Sequence, residues 1–241
     1  MTTFSLRVAA PGGDEPLSAS PTRLYNLGSA TVDSTAAEAH QREVADVGVR
    51  IAFDVPAPRI YPMAVGSVTT DDVVGVHSGH TSGEAEVVLL VSGGELYVGV
   101  GSDHTDRELE RLSILWSKQY SPSVLGGRVW RWADVEPVWD RLVLESTVDD
   151  ELYQSSPASV FLPPPEILKV LGERVTELPE SYLVFCGTYT SIDNRIRHGE
   201  RWTAALRDPG TGARLDLSYR VVDLLAEIEP GFRVPLRPKE R

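Results

Sequence analysis

The chain has 241 residues, 41% apolar and 24% charged, enough for one sizeable domain with its own core. Its 35 acidic residues outnumber its 23 Lys and Arg, and the net charge of −12 argues against nucleic acid or an anionic membrane as partner. The single cysteine, Cys186, excludes an internal disulfide and a thiolate metal cluster.

A strand is expected at residues 4–10, "FSLRVAA", followed by the loop "PGGDEPLSASP". Residues 34–47, "STAAEAHQREVADV", are the best helix in the first third: Asp33 or Ser34 can cap it, its alanines favour it and Gly48 ends it. "PAPRIYPM" is too rich in proline for a helix. From residue 73 strands dominate, with "VVGVH", 84–91 and 95–102. A helix is then expected over about 106–117, with Leu109, Leu112, Ile114 and Leu115 as its apolar set. Residues 140–147 alternate as a strand, and "PPPEILKVLGERV" is a helix opened by prolines. "SYLVFCGT", "RWTAALRDP" and "ARLDLSYRVVDLL" supply three more strands, the last two joined by the turn "DPGTGA". The balance favours an α+β fold over a doubly wound sheet. Trp116, Trp130, Trp132 and Trp139 read as packing residues, in the core or at a subunit interface. No apolar run approaches the ~20 residues that cross a bilayer. The N-terminus lacks the basic and apolar regions of a secretory leader, so a cytoplasmic protein is expected.

The segment "GEAEVVLLVSGGELYVGVGSDHTDR" is patterned for burial on both faces, yet it opens with two glutamates and closes with two aspartates. Gly93-Gly94 is a strong two-residue hairpin turn. With Ser92 opposite Glu95, the register carried back sets Glu84 opposite Asp103 and Glu86 opposite Gly101. Side chains alternate along strands, so Glu84, Glu86 and Asp103 share one face. Like charges in that arrangement destabilise a sheet, and a hard divalent cation bound by oxygens resolves the conflict. Mg²⁺ suits the set best, and Mn²⁺ or Ca²⁺ fit it too. Gly99 and Gly101 lie on the same face and leave room there for a ligand. The competing reading makes E-x-E the solvated end of a strand. A one-residue register slip would turn Asp103 away.

These residues resemble the fumarylacetoacetate hydrolase superfamily, and "GSDHTDR" with "SKQ" is similar to an uncharacterised bacterial branch of it. The resemblance extends over roughly residues 25–220. It implies a strand-rich mixed β-roll with flanking helices, a homodimer, and Glu84, Glu86 and Asp103 as ligands of Mg²⁺ or a similar ion. The Asp-x-Thr-x-Arg pattern makes Arg107 a substrate-anion contact, and Lys118 in "WSKQY" matches a catalytic lysine. "FCGTYTS" keeps Gly187 and Thr188 of a substrate-contacting motif but loses the proline that normally follows. His40 and Glu43 in "EAHQREV" match an H-x-x-E pair on a lid helix, where Glu43 orients His40 as general base. Glu110 replaces a glutamine that related enzymes use at the substrate. Its charge would either weaken binding of a substrate carboxylate or pair with Arg107 at i,i+3.

The expected organisation is an N-terminal strand and lid-helix region, 1–60, over a metal-binding β-roll, 61–241, as one continuous unit. The expected function is metal-dependent hydrolysis of a C–C bond next to a carbonyl in a diketo or acylpyruvate-type small molecule, through a metal-stabilised enolate. Two alternatives stay open. One is a metal-dependent lyase, decarboxylase, hydratase, isomerase or cyclase on the same scaffold, and the other is a non-catalytic binding protein with a vestigial site. His77 and His80, just before the glutamates, are further candidates as ligand or base. His104 alternates to the opposite face as a supporting residue, and Cys186 reads as buried packing.

Overall fold

The structure, a computed structural model, describes residues 2–32, 42, 45, 48–49 and 55–234. The expected helix at 34–47 falls largely outside them, and His40 and Glu43 lie outside the described residues. Four strands come first: β1 (Phe4–Val8), β2 (Glu15–Ala19), β3 (Arg23–Gly28) and β4 (Arg59–Met63). They are followed by β5 (Val68–Thr69), β6 (Val73–Val76), β7 (Thr81–Ser82), β8 (Ala85–Ser92), β9 (Glu95–Asp103) and β10 (Thr105–Asp106). Two short helices, α1 (Arg107–Glu110) and α2 (Ile114–Tyr120), lead into β11 (Ser123–Arg131) and α3 (Trp132–Val135). The chain continues through β12 (Val143–Val148), β13 (Glu151–Pro157) and α4 (Pro164–Arg174). It closes with β14 (Tyr182–Phe185), β15 (Arg201–Arg207) and β16 (Arg214–Asp223).

The large sheet runs β2-β1-β11-β9-β8-β14-β3-β4, with β5 also paired to β11. A second sheet runs β13-β12-β15-β16-β6, and β10 pairs with β7 alone. Pairings are mixed: β1 with β11, β14 with β3, β11 with β5 and β16 with β6 are parallel, the rest antiparallel. The described strands of residues 1–60 are therefore built into the same large sheet as those from the rest of the chain.

Two cores explain why β8 is apolar along both faces. Val87 and Leu89 join Val98, Val100, Leu144, Trp202 and Leu215 between the two sheets. Val88 and Leu90 point the other way, into a cluster with Phe4, Leu24, Leu125, Leu183 and Phe185. That second cluster takes Ala19 from β2 at one edge of the large sheet and Met63 from β4 at the other. The large sheet thus buries one face in a single cluster that reaches both of its edges, as a β-roll does.

Several strands escape a reading by alternation, β3 and β13 among them. β2 lies in the stretch expected to be loop, and β4 accommodates Pro62 because it is an edge strand, where a missing N–H costs no ladder bond. β11 contains Gly126-Gly127 at a register shift. A Cβ at Gly126 would lie 3.0 Å from Val100 O and 3.2 Å from Asp216 O, so Gly126 marks close approach of the sheets, whereas Gly127 faces open space. The helix expected over 106–117 is two helices. Asp106 caps the first by accepting from Glu108 N and Leu109 N, and Ser113 caps the second by accepting from Trp116 N. Leu112 and Leu115, expected to be buried, are exposed. Trp130 and Trp139 are buried in the core and Trp116 is exposed. Among the described residues no helix is long and apolar enough to cross a membrane.

Candidate metal centre

The hairpin has the register that its Gly-Gly turn dictates: Ser92 opposite Glu95, Glu86 opposite Gly101 and Ala85 opposite Ser102. Asp103 N donates to Glu84 O at 3.0 Å and carries the register one residue further. Glu84, Glu86 and Asp103 consequently lie on the concave face of the roll, each offering a carboxylate oxygen within 4.8 Å of the other two. They are 4%, 1% and 0% exposed, which removes the reading of E-x-E as a solvated strand end. Burial, and then Asp103, push the Glu86 carboxyl well above its ordinary range. Burial also raises Asp103, with Lys118 pulling the other way.

Each acid is held by a different element. Asn26, on β3, donates from Nδ2 to Asp103 Oδ2 at 2.9 Å. Lys118, on α2, donates to the same oxygen and stands 3.7 Å from Glu84 Oε2. Burial opposes the lysine's charge, but Asp103 and Glu84 outweigh it, so the ammonium stays protonated. Gly187 N, past the end of β14, donates to Glu86 Oε2 at 2.8 Å. Gly187 has φ 87°, and a Cβ there would sit 2.7 Å from Leu27 O, so glycine is required. Thr188 Oγ1 donates to Ala85 O and accepts from Gln154 Nε2, each at 2.9 Å, so it braces the backbone between the glutamates. Tyr189 stands where the resemblance expects proline, and its hydroxyl is bonded to Leu144 O.

Arg107 sits behind Glu84. The β7–β10 pair and the bond from Arg107 N to His80 O fix its backbone. Its side chain donates from Nη2 to Glu84 Oε1 at 2.8 Å, from Nη1 to Glu110 Oε2 at 2.8 Å and from Nε to Ser82 Oγ at 2.6 Å. Arg107 and Glu110 are both buried.

The donor set fits a hard cation. All three side chains are acceptor-only when ionised. Two buried acceptor oxygens beside Asp103, Glu86 Oε1 and Asn26 Oδ1, have no hydrogen-bond partner among the described residues. Unpaired buried acceptors are costly, and a cation bound by oxygens is the group that would satisfy them.

The expected room above Gly99 and Gly101 is filled. A Cβ at Gly101 would meet Val88 Cγ2 at 2.6 Å and Phe185 Cε1 at 2.8 Å, and one at Gly99 would meet Val129 Cγ1 at 3.3 Å. These glycines admit core side chains. His104 is buried between Tyr219 OH and Thr81 Oγ1, and burial, with Arg107 adding to it, holds its pKa down at about 3. It is a neutral supporting residue. His77 packs edge-on against Tyr120 and His80 against His198, and neither joins the acidic cluster. Cys186 is buried in the core. Sequence reasoning missed Asn26 and Tyr61, whose ring centroid lies 6.0 Å from Lys118 Nζ. A lone polar residue inside the apolar run "RLYNLG" was the available signal for Asn26.

Solved structures show which fold this is. A fumarylpyruvate hydrolase from Pseudomonas aeruginosa, in complex with Mn²⁺ and pyruvate, is 19% identical with a TM-score of 0.61, over 92% of this chain and 97% of its own. A fumarylacetoacetate hydrolase family protein from Yersinia pestis CO92 is 14% identical with a TM-score of 0.64, over 91% and 100%. A 5-carboxymethyl-2-hydroxymuconate delta-isomerase from Mycobacterium smegmatis is 14% identical with a TM-score of 0.59, over 92% and 98%. The chain thus has the α+β fold of fumarylacetoacetate hydrolase family proteins. Its sequence matches the family model "Protein of unknown function (DUF2848)" over residues 28–219, and the chain belongs to that family. No curated protein matches it.

Proposed function

We propose that this protein is a divalent-metal-dependent enzyme that hydrolyses a C–C bond next to a carbonyl in a small diketo or acylpyruvate-type substrate. The observation that carries the reading is the buried triad of carboxylate oxygens within 4.8 Å of one another, with Glu86 Oε1 unpartnered among the described residues. The fold supports it, since a neighbour with that fold was solved with Mn²⁺ and pyruvate.

Glu84, Glu86 and Asp103 would hold the cation, Mg²⁺ by preference, with Mn²⁺ or Ca²⁺ also suited to an all-oxygen set. A cation there supplies Lewis acidity toward a substrate carbonyl and the enolate it becomes. Lys118, already protonated beside the triad, donates to oxygen on which negative charge develops, an effect worth roughly 3–4 kcal/mol for a well-placed donor. Asn26 and Gly187 fix Asp103 and Glu86 so that neither must reorganise during the reaction. His40, oriented by Glu43, takes the proton from the attacking water. The lid would come from the segment 34–47 that carries His40 and Glu43, since β1 to β3 are part of the roll itself, and the protein works as a homodimer.

The test is turnover of an acylpyruvate panel by the purified chain, followed as loss of enol absorbance with Mn²⁺ and with EDTA. Metal-dependent turnover is expected, with Lys118→Met reducing kcat by about 10²–10³-fold. Lack of turnover by the Mn²⁺-loaded chain across the panel would refute the hydrolase. His40→Ala separates the related reaction classes: hydrolysis loses orders of magnitude in kcat, whereas a lyase or isomerase that never activates water keeps its rate.

A further inference from the structure

Among the described residues Arg107 and Lys118 bring positive charge to the triad, and the Arg107 side chain is turned toward protein groups. Each of its three nitrogens donates to a neighbour: Glu84, Glu110 and Ser82. The Glu110 pair is an i,i+3 contact whose side chains are 4% and 6% exposed, so solvent scarcely screens it. From the geometry we infer that Arg107 and Glu110 are a positioning pair for the metal ligand Glu84, in place of the substrate contacts that the resemblance implies for them. The inference deepens the metal-site reading above and rests on it.

Two requirements conflict at Glu84. Its Oε1 must be anchored so that Oε2 stays near the centre of the triad, and a guanidinium fork is the side chain suited to hold a carboxylate oxygen in place. A fixed positive charge against a ligand also repels a divalent cation and weakens the carboxylate as a donor. Glu110 resolves the conflict. Its carboxylate on Nη1 offsets the guanidinium charge while leaving Nη2 on Glu84, so Arg107 supplies geometry at little cost in local field. A glutamine at 110 could accept the same hydrogen bond from Nη1 but could not supply the charge. The identity of residue 110 is thus explained by what the cation requires, and no substrate carboxylate need reach either residue.

The experiment separates the roles by titrating the full chain with Mn²⁺ in the absence of any organic ligand. Free Mn²⁺ is followed by electron paramagnetic resonance, and oxalate is then titrated at saturating Mn²⁺. Partners that orient metal ligands typically change metal affinity by about 10–100-fold. Glu110→Gln is expected to weaken Mn²⁺ binding by about tenfold or more, and Glu110→Asp, which keeps the charge, to stay within about threefold of wild type. Oxalate affinity at saturating Mn²⁺ should stay within about threefold in both variants, since neither residue touches the organic ligand. Glu110→Gln that binds Mn²⁺ as wild type does, and oxalate more tightly, would overturn the inference by showing Arg107 released toward the ligand. Wild type that binds no Mn²⁺ would refute the metal site itself, and this inference with it. Should Glu110→Gln fail to fold, Arg107→Lys decides, because it keeps the charge and loses the fork. Unchanged Mn²⁺ affinity in Arg107→Lys would refute the positioning role.

Discussion

Glu86→Gln should stabilise the metal-free protein while abolishing its response to metal. Glu86 is fully buried, its Oε1 lacks a partner among the described residues, and two further carboxylates lie within 4.8 Å. Glutamine has the same shape. Its oxygen can keep the bond from Gly187 N, and its amide places a donor where acceptors converge. An unsatisfied buried acceptor costs about 1–3 kcal/mol, so a gain of ~2 kcal/mol is expected. At 2–4 °C per kcal/mol for a chain of this size, Tm in EDTA should rise by roughly 4–8 °C. Wild type in Mn²⁺ at about 100 times Kd gains ~2.7 kcal/mol that the variant cannot, so the order of the two melting curves should invert on adding metal.

The effect depends on pH with a definite sign. Because the Glu86 carboxyl is raised above its ordinary 4.5, the folded chain holds its proton more tightly than the unfolded chain. Its contribution to stability is fully present below the ordinary value and is lost as pH rises through the raised one, by up to about 1.4 kcal/mol per pH unit. The advantage of Glu86→Gln in EDTA should therefore widen from acid toward neutral pH and close again in acid. Calorimetric melts at several pH values, with EDTA and with Mn²⁺, provide the check. A variant that melts below wild type in EDTA at pH 7 would refute the reasoning, because the triad would then not be repulsive without its ion.

Gly101→Ala should cost roughly 1–3 kcal/mol through overpacking, because the added methyl meets Val88 and Phe185 inside 3 Å, and chemical denaturation would measure it. Asp208 accepts from both Nε and Nη2 of Arg141, from Gly210 N and from Thr211 Oγ1, closing the turn between β15 and β16. The Arg141 hydrogen bond holds its carboxyl well below the ordinary 3.8, so this stabilisation is present above that pH and is lost as pH falls through the lower folded value. Asp208→Asn should lower Tm at pH 7, with the gap to wild type narrowing in strong acid. An unchanged gap there would contradict the assignment.

The triad was legible in the sequence because a two-residue turn fixes register and strand alternation fixes the face. Two glycines and three acids were enough. Its surroundings were legible only in part. Lys118 came from the motif resemblance. Asn26 comes from β3, which pairs in parallel with β14 across more than 150 residues of chain, and nothing local to "RLYNLG" reports that pairing. The space above Gly101 is closed from two sides, by Val88 on the other strand of the same hairpin and by Phe185 on β14, and only the second lies beyond what the hairpin register reports. The break between α1 and α2 was hidden because the apolar spacing of Leu109, Leu112 and Leu115 suits one helix, while the cap at Ser113 starts another.

An anomalous difference map from crystals grown in saturating Mn²⁺ tests the metal centre most directly. One peak is expected on the concave face of the roll, within coordination distance of Glu84, Glu86 and Asp103, and it should vanish in Glu86→Gln crystals. Three well-ordered carboxylates with no Mn²⁺ signal between them would contradict the account.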